Sequence, residues 1–365
     1  MTTPARTAEA ERASLAFQAA LAQIGVSTVA DALRLWQGVP PTARASTTTA
    51  WLRLAIRMVL TRRRQSRELA RAYYRLARAL RTGTTIADPY HPEPTYITLD
   101  TLRREFAALT GELQHPQEGR NEGTSAEGAN PQPEPAQPPA EDAEATEDQE
   151  SEDELDRILV EEIEGLREEE ERLEQEAQTE LERHLQALGP DALQRKVDEL
   201  DTSAPADDVD RSRGDAHAQA GARQAAAAER VALNGGRSTV WSHAQRDRRV
   251  IGYIRLSRTG TPCGWCAMLI SRGPVYRSER SAEYGDGDKY HDNCHCYAEP
   301  VYSREQYNSS PLYALNRRYG ELWPQVTRGL SGKAALSAWR RFIRTEQRAA
   351  AQEARRRSST SVQEA

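Results

Sequence analysis

All four cysteines of the 365-residue chain lie in two close pairs. The first pair is Cys263 and Cys266, and the second is Cys294 and Cys296. A Cys-x-x-Cys turn supplies two thiolates from one bend of the chain, and a second pair can complete a tetrahedral cage around Zn²⁺. The spacing therefore predicts a single metal site built from two separate turns.

The expected ligands are the thiolates of Cys263, Cys266, Cys294 and Cys296. His291, three residues before the second pair, is the leading substitute for one of them. His295 is a weaker candidate, because in an extended segment it points away from its two neighbours. A closed four-ligand site is structural, whereas three protein ligands and a water can be catalytic. Four cysteines favour the closed form, but both forms stay open.

The cysteines have two other possible states, which are disulfides or redox-active pairs, and thiols that bind no metal. Residues 1–14 are polar and lack the apolar core of a signal peptide. Disulfides rarely persist in a reducing cytoplasm. We therefore expect thiolates that bind a structural zinc ion.

Charge is distributed unevenly along the chain. Residues 141–180 carry 20 acidic residues and three arginines, a net charge of −17, so the rest of the chain sums to +11 within a total of −6. A basic body with an acidic insert is typical of interaction segments and of contact with acidic surfaces or nucleic acid. No run of about 18 apolar residues occurs, so no membrane span is expected.

The periodicity of the first third predicts a helical N-terminal domain over residues 8–112, with helices at 8–36, 49–81 and 99–113. Most arginines of the second helix share one face: Arg53, Arg57, Arg64, Arg67, Arg71, Arg75 and Arg78. This arginine stripe is interpreted either as a solvated face or as a contact with an acidic protein surface or nucleic acid.

The middle of the chain changes composition twice. Residues 113–153 are rich in Pro, Glu, Gly, Gln and Ala, which predicts a disordered linker. Residues 154–200 form an acidic helical segment, in which one helix runs to Leu188 and ends at Gly189-Pro190. Its apolar stripe is thin, so we expect this helix to project from the body or to form a coil, and a polar break follows at 202–213.

A C-terminal domain is predicted over residues 214–350, followed by a flexible tail at 354–365. Helices are expected at 215–233, 238–248, 311–319 and 331–353, and strands at 250–256 and 297–302. Asn234-Gly235-Gly236 is interpreted as the cap of the first of these helices. The predicted fold class is mainly α with a small α+β zinc-stapled C-terminal domain. A long disordered acidic linker and a projecting acidic helix lie between the domains.

Short motifs of the C-terminal domain also carry a family resemblance. They are Gly252-Tyr253-Ile254-Arg255, Pro262-Cys263-Gly264-Trp265-Cys266-Ala267-Met268-Leu269, Ser271-Arg272-Gly273 and His291-Asp292-Asn293-Cys294-His295-Cys296. Together they resemble the C-terminal module of tailed-phage Mu F-like minor head proteins, and in particular the actinophage versions often labelled capsid maturation protease. The N-terminal run Ala72-Tyr73-Tyr74-Arg75-Leu76 is also similar to that group. His295 departs from the pattern, because relatives often place Arg there.

This resemblance implies a role in head morphogenesis, as a minor capsid protein associated with the portal. Such a protein is made in the host cytoplasm and is found in the procapsid or virion head, where it acts in assembly and in DNA packaging or ejection. Its partners would be the portal and the major capsid or scaffold proteins. The family's paired cysteines and histidine correspond to Cys263, Cys266, His291, Cys294 and Cys296.

Two alternative functions stay open. One is a capsid maturation protease that processes head proteins, and the other is an internal head protein that contacts DNA through the arginine stripe. Ser271 with His291 is a conceivable nucleophile and base. The chain contains neither a Gly-x-Ser-x-Gly nor a His-Glu-x-x-His motif. Enzymatic activity is therefore uncertain, and the sequence assigns no catalytic residue.

Overall fold

The computed structural model describes residues 3–111, 157–200, 203–257, 259–274, 290–292, 294 and 296–363. The predicted disordered linker at 113–153 and the candidate ligand His295 lie outside these residues. The helices are α1 (Pro4–Gln37), α2 (Thr49–Thr82), α3 (Leu99–Thr110), α4 (Leu166–Leu188), α5 (Pro190–Asp198), α6 (Ala206–Arg246), α7 (Gly264–Ile270), α8 (Arg304–Ser309), α9 (Ala314–Val326) and α10 (Gly332–Gln363). The strands are β1 (Thr84–Ile86), β2 (Tyr96–Thr98), β3 (Arg157–Glu161), β4 (Gly252–Ser257) and β5 (Cys296–Val301). The protein is mainly helical, as predicted.

Helices α1, α2 and α6 pack against one another along most of their length. Thr3 begins α1 by accepting a hydrogen bond from the backbone N–H of Arg6 at 3.3 Å, and Pro4 occupies the first helical turn. Gly83 ends α2 in the left-handed conformation, with φ of 78°. The predicted helices at 8–36, 49–81 and 99–113 are therefore confirmed, with small shifts at their ends.

Helix α6 continues through the position where the sequence predicts a cap. A Cβ atom on Gly235 would lie 2.6 Å from the carbonyl oxygen of Arg63, and one on Gly236 would lie 2.6 Å from that of Ser66. The Ser66 hydroxyl accepts a hydrogen bond from the N–H of Gly236 at 3.0 Å. The two glycines thus permit α2 and α6 to cross in close contact, and the predicted cap at Asn234-Gly235-Gly236 is wrong.

The acidic segment also differs from its prediction. It begins with strand β3 instead of a helix, and β3 pairs in parallel with β1 and antiparallel with β2. Helix α4 packs against α2 and α6 instead of projecting, and Leu173, Leu181 and Leu185 are buried there. The thin apolar stripe suffices because the neighbouring glutamates find cationic partners on α2.

All the arginines in the C-terminal half of the stripe pair with carboxylates, and two of them pair with α4. The ion pairs join Arg67 and Arg71 to Glu170, Arg75 to Glu93 and Glu105, and Arg78 to Asp247 and Glu161. The interpretation of this half as a solvated face is wrong, because carboxylates of the same chain cover it. Arg53, Arg57 and Arg64, in the N-terminal half, are exposed.

The C-terminal region contains a two-stranded antiparallel sheet, in which Gly252 pairs with Val301 and Ser257 with Cys296. Helices α7, α9 and α10 pack beside it around the buried side chain of Trp339. Helix α10 extends to Gln363, beyond the predicted start of the tail at residue 354. The same buried cluster includes Phe17 of α1 and Leu80 of α2, so the sheet rests on the N-terminal helices.

By length and composition, α1 is the one helix among the described residues that is apolar enough to cross a membrane. Its residues Phe17, Leu21 and Trp36 are buried in the two hydrophobic clusters of the molecule. Packing in the core accounts for its apolar composition.

Candidate metal centre

The first cysteine pair lies at the start of the short helix α7. Cys263 is the N-cap residue, and its sulfur accepts a hydrogen bond from the backbone N–H of Cys266 at 3.4 Å. A Cβ atom on Gly264 would lie 2.9 Å from Cγ of Arg340, because α10 passes directly beside this turn. The three-residue spacing thus brings both thiols to the N-terminal end of one helix.

The second half of the site is a turn that leads into β5. The backbone N–H of Cys294 donates to the carbonyl of His291 at 3.1 Å, and Cys296 begins the strand. The turn places Sγ of Cys294 at 3.5 Å from Sγ of Cys266. Nε2 of His291 lies 3.1 Å from Sγ of Cys263 and 3.5 Å from Sγ of Cys266.

The structure brings all five predicted ligands together as two overlapping triads. Cys263, Cys266 and His291 form one triad, and Cys266, Cys294 and Cys296 form the other. Within each triad the ligand atoms lie within 4.8 Å of one another. Ligands bound to one tetrahedral zinc ion are about 3.5 to 4 Å apart. The cluster can therefore hold a metal ion, with Cys266 at its centre.

His291 is oriented for binding by its second ring nitrogen. Nδ1 lies 2.7 Å from the carbonyl oxygen of Asp292, so it carries the proton and donates. Nε2 faces the thiols and can bind an ion once the ion displaces its proton, and a second ring nitrogen held by a carbonyl is the arrangement that metal-binding histidines adopt. The carboxylate of Asp292 is in turn held by Nε of Arg230 on α6, at 2.7 Å. Arg230 also binds Glu180 of α4 at 2.6 Å, so the helical body supports the turn.

Two further arginines lie behind the cysteines. Arg237 donates to the carbonyl oxygen of Cys294 at 2.5 Å, and the guanidinium carbons of Arg237 and Arg255 lie 4.4 Å and 3.9 Å from the ring centre of Tyr290. The hydrogen bond from Cys266, together with these positive charges, lowers the pKa of the Cys294 thiol. Arg255 belongs to the motif Gly252-Tyr253-Ile254-Arg255 that carries the family resemblance, but the sequence did not indicate that Arg230, Arg237 and Arg255 support this site.

The other half of the site also favours a thiolate. Hydrogen bonds with Cys266 and His291 lower the pKa of Cys263 to about 4. The hydrogen bond with Cys263 raises the pKa of His291 to about 9. Thiolates are the form of cysteine that binds metals and acts as a nucleophile. All four cysteines are free thiols, and the 3.5 Å between Cys266 and Cys294 far exceeds a disulfide bond of about 2.05 Å.

The opening above the site is small. Its volume is about 50 Å³, and Thr259, Thr261 and Pro262 are among the residues that line it. That is room for roughly one water molecule, whose share of the liquid is about 30 Å³. Cys263 is the exposed member of the set, while Cys266, Cys294 and Cys296 are buried. The geometry suits an enclosed ion better than a bound substrate.

The conceivable pair of Ser271 and His291 is not formed. The Ser271 hydroxyl donates to the carbonyl oxygen of Met268 at 2.7 Å, and Nε2 of His291 faces Sγ of Cys263. Ser242 likewise donates to the carbonyl of Thr239 at 3.1 Å and not to its neighbour His243. Neither serine is therefore placed beside a base that could activate it.

Comparison with known proteins gives one family match. A family model described as VG15 protein matches residues 169–322, which is less than half of the chain. The matched range runs from α4 to α9 and contains all five candidate ligands. This viral gene-product family supports assignment as a phage protein. No curated protein and no solved structure matches the chain.

Proposed function

We propose that the chain is a minor head protein of a tailed phage, which acts beside the portal during procapsid assembly and DNA packaging or ejection. The observation that carries this proposal is the convergence of two cysteine pairs and His291 inside the range that the VG15 model matches. The same residues carry the resemblance to Mu F-like minor head proteins. The portal and the capsid or scaffold proteins are the partners that this role requires.

Zinc is the metal that the ligand chemistry favours. Thiolates and imidazole are soft or borderline ligands, and sets rich in cysteine in tetrahedral geometry select zinc over magnesium or calcium. An ion at this place joins α7, the turn at 291–294 and the start of β5, which are separated by up to 33 positions in sequence. The role of the ion would therefore be to fix this corner of the fold.

Removal of the metal provides the first test. Protein purified under reducing conditions should contain about one zinc ion per chain, and a strong chelator should lower its melting temperature by roughly 10 °C or more, since a structural ion contributes several kcal/mol. Cys266→Ser should abolish zinc binding, because Cys266 belongs to both triads. Metal analysis and thermal melting measure the two effects.

Ser271→Ala is the matched control, because Ser271 ends α7 but only bonds to its own helix. It should keep its zinc and its melting temperature within a few degrees. Metal-free protein that melts at the same temperature with and without chelator would falsify the zinc proposal.

The proposed head function has a separate test. A phage that lacks this gene should yield few infectious particles, and the intact protein should be found by mass spectrometry in procapsids or virions at low copy number. Its absence from both particles would contradict the proposal. Specific cleavage of head proteins by the purified chain, lost in Ser271→Ala, would instead support the protease alternative.

A further inference from the structure

An open groove lies between the C-terminal half of α1 and the N-terminal half of α2. Its volume is about 540 Å³. Leu35, Leu54 and Met58 form its apolar floor, and the side chains of Arg57 and Arg62 lie at its edge. Leu54 is 49% exposed, although its neighbours on the same helix, Ala55 and Val59, are buried. The groove thus presents apolar surface to the outside with cations beside it.

The positive charges around the groove are only partly compensated. Asp31 is the one acidic residue that lines it, and this carboxylate binds both Arg34 and Arg62, at 3.0 Å and 2.7 Å. Arg53, Arg57 and Arg64 are exposed, and no ion pair joins them to any other described residue. The groove is therefore cationic, with apolar residues between the charges.

The middle of α2 shows what such a surface binds. There, Arg63, Arg67 and Arg71 repeat every four residues, and they pair with Glu170 and Glu174 of α4, which are also four residues apart. The order is antiparallel, because Arg71 meets Glu170 and Arg63 meets Glu174. The leucines of α4 are buried beside this ladder of ion pairs. One acidic amphipathic helix thus satisfies both the charges and the apolar surface.

We propose that the groove binds an acidic amphipathic helix of a partner protein, in the same way that residues 63–71 of α2 bind α4. Arg53 and Arg57 repeat the four-residue spacing, so a helix with carboxylates at positions i and i+4 can reach both. Apolar side chains on the same face of that helix would cover Leu54 and Met58. The apolar floor favours this partner over nucleic acid, whose phosphates would leave Leu54 uncovered and for which no aromatic residue lines the groove.

A labelled synthetic peptide with the sequence of residues 166–188 provides the probe, because it has the required spacing of glutamates and leucines. Fluorescence anisotropy with the full-length protein should show saturable binding that weakens as salt rises. A peptide of the same composition in scrambled order, which lacks the apolar face, should bind at least about tenfold more weakly.

Variants of the groove separate this site from the place that α4 itself occupies. Leu54→Ser and the double change Arg53→Glu with Arg57→Glu should each weaken peptide binding by about tenfold. These residues are exposed, so the melting temperature should change little. Arg348→Glu on the exposed face of α10 is the matched charge control and should bind the peptide as the parent protein does.

The proposal is independent of zinc, and the zinc content of the same samples shows whether the C-terminal region is intact. It would be overturned by absence of peptide binding, or by binding that the groove variants do not change. If a DNA duplex displaces the peptide, and Leu54→Ser does not change the binding of that duplex, the surface would be assigned to nucleic acid instead. Self-association of the chain that the groove variants abolish would assign it to a second copy.

Discussion

Two buried carboxyl groups, Asp247 and Glu299, receive hydrogen bonds from neighbouring tyrosines of α2, yet their surroundings differ. Tyr74 donates to Oδ2 of Asp247 at 3.0 Å, and Tyr73 donates to Oε2 of Glu299 at 2.5 Å. Asp247 caps the C-terminal end of α6, and Glu299 lies in β5. Both residues thus join the N-terminal helices to the region that carries the metal site.

Asp247 has a cation in direct contact. Nε of Arg78 lies 2.6 Å from Oδ2 and Nη2 lies 3.2 Å from Oδ1, so the guanidinium binds both oxygens. Arg78 itself is 1% exposed and also binds Glu161 at 2.6 Å. Burial disfavours its charge, but the two carboxylates more than offset this and raise the pKa of Arg78.

Glu299 has only hydroxyl partners in direct contact among the described residues. The hydroxyls of Ser14 and Tyr313 lie 3.0 Å and 3.4 Å from its oxygens, in addition to Tyr73. The charge of Arg81 acts from a greater distance. Burial raises the pKa of Glu299 to about 7, although these hydroxyls lower it. The comparison shows that hydroxyl donors alone do not replace a paired cation at a buried carboxylate.

Removal of the Arg78 guanidinium should lower the free energy of unfolding more than any other change described below. Arg78→Met leaves Asp247 and its tyrosine in the core without a charge partner, and breaking a buried pair in this way costs about 3–5 kcal/mol. The double change Arg78→Met with Asp247→Asn should recover part of this loss. Chemical denaturation measures both variants. Equal destabilisation of the single and the double variant would show that the uncompensated charge is not the cause.

The pH dependence of stability tests the environment of Glu299. The pKa of Glu299 in the folded protein is about 7, above the 4.5 of an ordinary glutamate, so its protonated form stabilises the fold. This contribution is complete below about pH 4.5 and is lost as the pH rises through 7. The whole contribution amounts to about 1.4 kcal/mol for each unit by which the pKa of the folded protein exceeds that of the unfolded chain.

Glu299→Gln should remove this contribution, since glutamine stays neutral. Denaturation of the parent protein and of the variant between pH 4.5 and 8 measures the difference, and the parent should lose more stability across that range. Parallel curves for the two proteins would mean that Glu299 does not titrate there.

The tyrosine hydroxyls should give the smallest effects. Tyr74→Phe removes one donor from Asp247, which keeps Arg78, and should cost about 1 kcal/mol. Tyr73→Phe removes a donor that lowers the pKa of Glu299, so it should also move the pH-dependent loss of stability to higher pH. Denaturation across the same pH range distinguishes Tyr73→Phe from Tyr74→Phe. A shift in Tyr74→Phe of the same size would contradict the assignment of the titration to Glu299.

Several features of the fold could be predicted from local patterns in the sequence. The helices α1, α2 and α3 follow from apolar periodicity, and the end of α2 follows from Gly83, which adopts positive φ, whereas the prediction for α3 ran past its actual end at Gly111. The adjacent Gly235 and Gly236 predict a helix cap, but they lie inside α6. Glycine occurs both where helices end and where two helices cross closely, so the local sequence does not distinguish the two. Only the position of α2 against α6 distinguishes the two.

The partners of the arginine stripe could not be predicted in the same way. The amphipathic pattern of α2 located the stripe correctly, but the carboxylates that pair with Arg67, Arg71 and Arg78 lie 83 to 169 positions away in the sequence. The acidic character of α4 indicated exposure when taken alone. Its burial became favourable only because the arginines of another helix compensate its charge.

The sequence by itself determined which residues can bind a metal, because the spacing of Cys263 with Cys266, and of His291 with Cys294 and Cys296, is a local property of two turns. It also determined where the long amphipathic helices lie. The tertiary structure alone decided that the two turns meet and that Arg230 holds Asp292 in the turn that carries His291. It also decided that one half of the arginine stripe is buried against other parts of the chain while the other half is exposed. Those outcomes depend on contacts between residues far apart in the chain, whose energies are set by packing and by local charge, and no local pattern encodes them.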